Sequence, residues 1–120
     1  MLLVLISVPL LFAAIDPDDS LYVRTLLDTN GLTEVEVSDV VNYDKENGRI
    51  FSLFLSNVYT IYGKKVTTLP NDINRLDTLL YIMVNDAALE TLPDAIGNLP
   101  HLKQIKAQRN RLKRLPETIG

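Results

Sequence analysis

Leu102-Lys103-Gln104-Ile105-Lys106-Ala107-Gln108-Arg109-Asn110-Arg111-Leu112-Lys113-Arg114-Leu115-Pro116-Glu117-Thr118-Ile119-Gly120 is the stretch on which the fold turns. In Ile105-Lys106-Ala107 apolar residues flank a base, the period-two pattern of a strand with one buried face. Asn110 follows with donor and acceptor groups on one short side chain. It is suited to backbone N–H and C=O groups in a bend that has no strand partner. Pro116 lacks an N–H and has a fixed φ, so it ends the extended run. Leu112, Leu115 and Ile119 then return apolar side chains to the same interior.

Toward the N-terminus the same marks recur. Leu92-Pro93 and Leu69-Pro70 precede Leu115-Pro116 at steps of 23 residues. Ile73, Ile96 and Ile119 hold that interval, as do Val66, Leu89 and Leu112 and the pairs Leu76/Leu99, Leu79/Leu102 and Ile82/Ile105. A repeat of this length is one supersecondary unit that cannot bury its own apolar face, so neighbouring units share a core. The first unit opens at Ile50-x-x-Leu53-x-Leu55, and six extra residues put 29 rather than 23 between Ile50 and Leu79. In the second unit Ala87 stands where the third has Asn110, with Asn85 and Asp86 just before it.

The series Leu102-x-x-Ile105-x-Ala107-x-x-Asn110-x-Leu112-x-x-Leu115-Pro116-x-x-Ile119-Gly120 resembles the leucine-rich repeat in its Leu-Pro-x-x-Ile-Gly variant, and the likeness runs from Gly48 to Gly120, about 60% of the chain. The resemblance implies an α/β solenoid, a right-handed coil with short parallel strands on a concave face and a helical cap at its N-terminal end. It also implies three columns of outward-pointing residues: Ser52/Tyr81/Gln104, Phe54/Met83/Lys106 and Ser56/Asn85/Gln108. Phe54 and Met83 beside Tyr81 place an apolar patch on a solvent-facing surface, which often marks an interface. The competing expectation is that the insertion, with Tyr59, Ile61 and Tyr62, folds over Phe54.

The implied function is non-catalytic recognition of a protein through the concave face, with a glycan as the second ligand class. Two alternatives stand beside it. One is an intracellular scaffold of the small-GTPase-pathway type, whose repeats are also similar; the other is a structural surface segment without a specific ligand.

Ahead of the repeats, Asp18 to Gly31 reads as a capping helix. Acids and Ser20 at its start suit exposed N–H groups and the helix dipole. Val23, Leu26 and Leu27 form an apolar stripe, and Asn30-Gly31 is a stop signal. Val35, Val37, Val40 and Val41 are expected to run extended until Asn47-Gly48 turns into the first repeat strand. Leu2 to Ile15 is almost wholly apolar, and its fourteen residues rise only about 21 Å as a helix, against roughly 30 Å of hydrocarbon. That length is short for a stable membrane span and fits a secretory signal peptide with Ala13-Ala14 near the cleavage point, the alternative being a buried N-terminal strand or helix of the mature domain. The organisation is therefore 1–15 signal peptide, 16–47 cap and 48–120 repeats, in a secreted, periplasmic or cell-surface protein. Retention of Met1 in the cytoplasm is the outcome that favours the scaffold alternative.

Composition narrows the chemistry. The chain has no cysteine, which removes disulfides, thiolate metal sites and cysteine nucleophiles together. His101 is the single histidine and lies beside Pro100 at a unit boundary. Asp16, Asp18 and Asp19 lack the glycine and distal glutamate of a calcium loop. Neither a cofactor nor a catalytic or metal site is expected. The net charge of −3 hides an asymmetry, with nine acids against three bases in residues 1–60 and six against nine in 61–120. Lys103, Lys106, Arg109, Arg111, Lys113 and Arg114 carry the basic excess. No aromatic residue interleaves with them, so a nucleic-acid partner is not expected.

Three strands about 4.8 Å apart offer on the order of 200 Å², whereas a standard interface uses about 800 Å² per partner. The expectation is therefore the capped beginning of a binding solenoid, without a C-terminal cap and part of a longer protein; end-to-end self-association and marginal stability are the two alternatives.

Overall fold

The computed structural model describes residues 14–56 and 58–116. Helix α1 spans Pro17–Thr29. It starts where the Asp16 carboxylate accepts the N–H groups of Asp18 and Asp19, both at 3.1 Å, while Pro17 has no N–H to satisfy. It stops at Asn30, followed by Gly31 at φ +73°. Tyr22, Val23, Leu26 and Leu27 form its buried face. Arg24 holds the loop that follows, donating to the carbonyls of Val35 at 2.7 Å and Leu32 at 3.0 Å. Asn30 ties the helix end to a distant segment: its Nδ2 donates to the Thr68 carbonyl at 2.9 Å, and its Oδ1 accepts from the Thr67 N–H at 2.8 Å.

A 3-10 turn at Val37–Asp39 leads into β1, Val41–Tyr43, which is followed by β2, Ile50–Phe54. The short helix α2, Val58–Tyr62, is made by the six extra residues of the first unit. Strands β3, Tyr81–Met83, and β4, Gln104–Lys106, complete a sheet of order β1-β2-β3-β4. 3-10 turns at Ile73–Arg75 and Asp94–Asn98 lie in the segments between the parallel strands, where Pro93 stops extended pairing. One apolar cluster joins all of this. Leu53 and Ile82 enter it from the strands, Leu26 and Leu27 from α1, and Ile73, Leu76 and Leu89 from the connecting segments.

The α/β solenoid implied by the resemblance, a right-handed coil with short parallel strands on a concave face and a helical N-terminal cap, is corrected by this topology. The sheet is mixed: β1 runs antiparallel to β2, and only β2, β3 and β4 are mutually parallel. The cause lies in the segment before Asn47. Val37 joins a 3-10 turn instead of extending, and the chain then doubles back at 44–48 so that Val41 lies opposite Leu53. In that turn the Asp44 carboxylate accepts the Glu46 N–H at 2.7 Å, and the Gly48 N–H donates to the Asp44 carbonyl at 2.8 Å. What forms is a small four-stranded mixed sheet with few helices. The apolar positions still meet in register, with Leu53, Ile82 and Ile105 as neighbours across three strands.

The run read as a signal peptide lies, up to Ala13, outside the described residues, as do Ile119 and Gly120 of the third unit. Ile15 packs against the core, and the Asp16 N–H donates to the Gly48 carbonyl at 2.8 Å. Among the described residues no helix is long and apolar enough to cross a membrane.

Candidate functional site

The strand register sets two of the anticipated columns side by side: Ser52, Tyr81 and Gln104 are successive neighbours, as are Phe54, Met83 and Lys106. Their exposure differs along each column. Gln104 and Lys106 on β4 are exposed, while Tyr81 and Met83 on β3 are half-buried. Ser52 is buried at 3% exposure, a small side chain between Asn42 of β1 and Tyr81 of β3. Alternation along the strand assigns Ser52 to the outer face, but alternation alone does not reveal what flanks it.

Phe54 is half-buried, and it shares a cavity of about 190 Å³ with Asp39, Val40, Val58, Ile61 and Tyr62. Helix α2 therefore borders Phe54 and leaves it part-exposed, short of the cover that the competing expectation describes. The Tyr62 hydroxyl donates to Asp39 at 3.4 Å, a long bond at the rim of the cavity. Ile61 remains 67% exposed and Tyr59 51% exposed. The apolar surface here thus extends from the strands onto the helix.

The third column lies just past the strand ends and is partly committed to the fold. Ser56 Oγ accepts the Asn85 N–H at 3.0 Å, and Asn85 Oδ1 accepts the Gln108 N–H at 2.7 Å. Gln108 itself is exposed. Asp86 and Arg109 both adopt positive φ, +59° and +56°. They also form an ion pair, with Arg109 Nη2 donating to Asp86 Oδ2 at 2.9 Å. Hydrogen bonding to Arg109 holds the Asp86 carboxyl below its ordinary range. No family model, characterised protein or solved structure matches the chain.

Other polar side chains are also used in holding the frame. The Asp19 carboxylate, 1% exposed, accepts from Arg49 Nε at 2.9 Å and from the Ile50 N–H at 3.0 Å. Arg49 Nη2 also donates to Asp77 at 2.6 Å, and these carboxylates hold the guanidinium well above its usual range. Among the described residues no group of three or more His, Cys, Asp or Glu is placed to hold a metal, and no buried side-chain nitrogen or oxygen lacks a partner.

Sequence reasoning missed Phe51 and Leu80. Each immediately precedes a residue of the first column, and both line a groove of about 440 Å³ bordered by the β1–β2 turn. The one available signal was their equal offset from Ser52 and Tyr81, which stand 29 residues apart.

Proposed function

We propose that this chain recognises a protein partner through the outer face of β2, β3 and β4, with Tyr81 and Met83 at its centre and Phe54, Gln104 and Lys106 around them. The observation that carries the reading is one of placement. An aromatic residue, a thioether and a second aromatic residue stand half-exposed on adjacent strands, with a polar strip on β4 beside them. Aromatic residues and Met supply large contact areas and are enriched at the centres of interfaces, where a polar rim surrounds them. The likeness of the repeat to recognition repeats is a second support, at the level of sequence. Ser52, Ser56 and Asn85 contribute to the frame around the face, since Ser52 is buried and the other two bond to backbone.

The test is capture of a partner from native extract by the full chain and by a Tyr81→Ser/Met83→Ser variant. Loss of about 2 kcal/mol or more of binding, at least twentyfold in affinity, is expected for two central anchors. Capture left unchanged by the double substitution sinks the face assignment. Binding that passes instead to immobilised glycans, with no protein retained, replaces the partner class.

A further inference from the structure

The groove beside the sheet face has its own chemistry. Its apolar lining is Phe51 and Leu80, both half-buried. The two are fixed as neighbours because the Leu80 N–H donates to the Phe51 carbonyl at 2.8 Å. Thr78 Oγ1 donates to the Ile50 carbonyl at 2.8 Å, so the segment entering β3 is held at the same place. The β1–β2 turn supplies Asp44 and Arg49 on one side, and His101, exposed, stands in the segment entering β4. A volume of about 440 Å³ is within the range of clefts that take a ligand or a group of side chains.

The charge at the groove is acidic. Arg49 is bound by two carboxylates, Asp19 and Asp77, so one positive charge is set against two negative ones before Asp44 is counted. Lys45, the other base of the turn, stands over the Tyr43 ring with its nitrogen 3.5 Å from the centroid. An apolar lining with an acidic border favours a ligand that presents apolar surface and positive charge together.

We propose that this groove takes a segment of a protein partner in which an aromatic or aliphatic side chain stands next to a lysine or arginine. The apolar side chain packs against Phe51 and Leu80, and the cation lies toward Asp44 and the Asp19–Arg49–Asp77 cluster. This is a site apart from the Tyr81/Met83 face. Its test reads different residues, so either assignment can fail alone.

The experiment is a titration of the isotopically labelled 120-residue chain, followed by amide chemical shifts. The probes are three blocked peptides of sequence Gly-Lys-Phe-Lys-Gly, Gly-Glu-Phe-Glu-Gly and Gly-Ser-Phe-Ser-Gly. The lysine peptide is expected to shift the amides of Phe51, Leu80 and His101, and the glutamate peptide to bind about tenfold more weakly or not at all. Asp44→Asn keeps an acceptor oxygen for the turn and is expected to weaken the lysine peptide about threefold. Leu80→Ser, with a dispersed spectrum showing that it folds, is expected to abolish the shifts. Equal binding of the lysine and glutamate peptides, or shifts confined to other residues, overturns the proposal. Shifts of the same amides on raising the protein concentration alone also overturn it, by making a second copy the occupant.

Discussion

Tyr22 joins two parts of the molecule through one side chain. Its ring is buried in the face of α1, and its hydroxyl donates to the Pro70 carbonyl at 2.9 Å across 48 residues of sequence. Burial, and to a lesser degree the negative charge of Asp72, pushes its phenol well above the ordinary tyrosine range. In the unfolded chain a tyrosine ionises near pH 10, while in the folded protein this one keeps its proton above that point. The unfolded state therefore binds fewer protons than the folded state above about pH 10, and stability falls as pH rises from there. Below that pH the contribution is fully present. Tyr22→Phe is expected to lower stability by about 1 kcal/mol at neutral pH through loss of the hydrogen bond. It is also expected to remove part of the alkaline loss. Urea unfolding between neutral and strongly alkaline pH measures both effects, and an identical alkaline slope in the variant assigns that loss to another group.

At the scale of elements, the β1–β2 turn and the end of α1 each depend on a glycine, but for different reasons. Gly48 has φ +78°, and a Cβ built on it overlaps the Ala14 carbonyl oxygen and comes within 3.0 Å of the Asp16 backbone nitrogen. Gly31 has φ +73° and nothing within 4 Å of the same position. Gly31→Ala is thus expected to cost about 1 kcal/mol, the left-handed penalty alone. Gly48→Ala adds displacement of the segment at Ala14–Asp16 and is expected to cost about 3 kcal/mol. Equal destabilisation of the two variants in thermal melts means that the segment before α1 yields without resistance. The same two elements show what local sequence reveals. The helix was legible because the Val23/Leu26/Leu27 stripe and Asn30-Gly31 are local signals, and Asn110 because its bend has one economical solution: its Nδ2 donates to the Val84 carbonyl at 2.7 Å, and its Oδ1 accepts the Leu89 N–H at 3.1 Å. The antiparallel β1 was legible only in part. Asn47-Gly48 between two extended runs is a hairpin signal, but β1 has three residues and the signal does not specify that Val41 and Asn42, rather than Val35 or Val37, pair with β2. The candidate face divides in the same way. Repeat spacing gives its columns, whereas the burial of Ser52 and the bordering of Phe54 by α2 depend on elements distant from the strand pattern.

Over the whole molecule, burial is uneven along the line of strands. Leu53 and Ile82, in β2 and β3, have no exposure, but Ile105 of β4 and its neighbours Leu102 and Leu112 are only half-buried. Ion pairs link the last unit to the one before it, Arg109 to Asp86 and Lys113 to Glu90, with all four side chains substantially exposed. Such pairs contribute little and are screened by salt, so they do not offset the thinner apolar packing at β4. Two backbone hydrogen bonds allow a controlled comparison. The Leu55 N–H donates to the Met83 carbonyl across β2 and β3, and the Val84 N–H donates to the Lys106 carbonyl across β3 and β4, both at 2.7 Å. Their lengths match, and both donors are buried residues just past a strand end. If β4 opens as a local unit, Val84 exchanges its amide hydrogen at least about tenfold faster than Leu55, since protection follows the free energy of the smallest opening that exposes each bond. Molar salt leaves that ratio within about twofold, because apolar packing and not charge sets it. Indistinguishable exchange at Leu55 and Val84 instead makes β2, β3 and β4 one cooperative unit, with the exposed strip on β4 as firmly held as the buried strands.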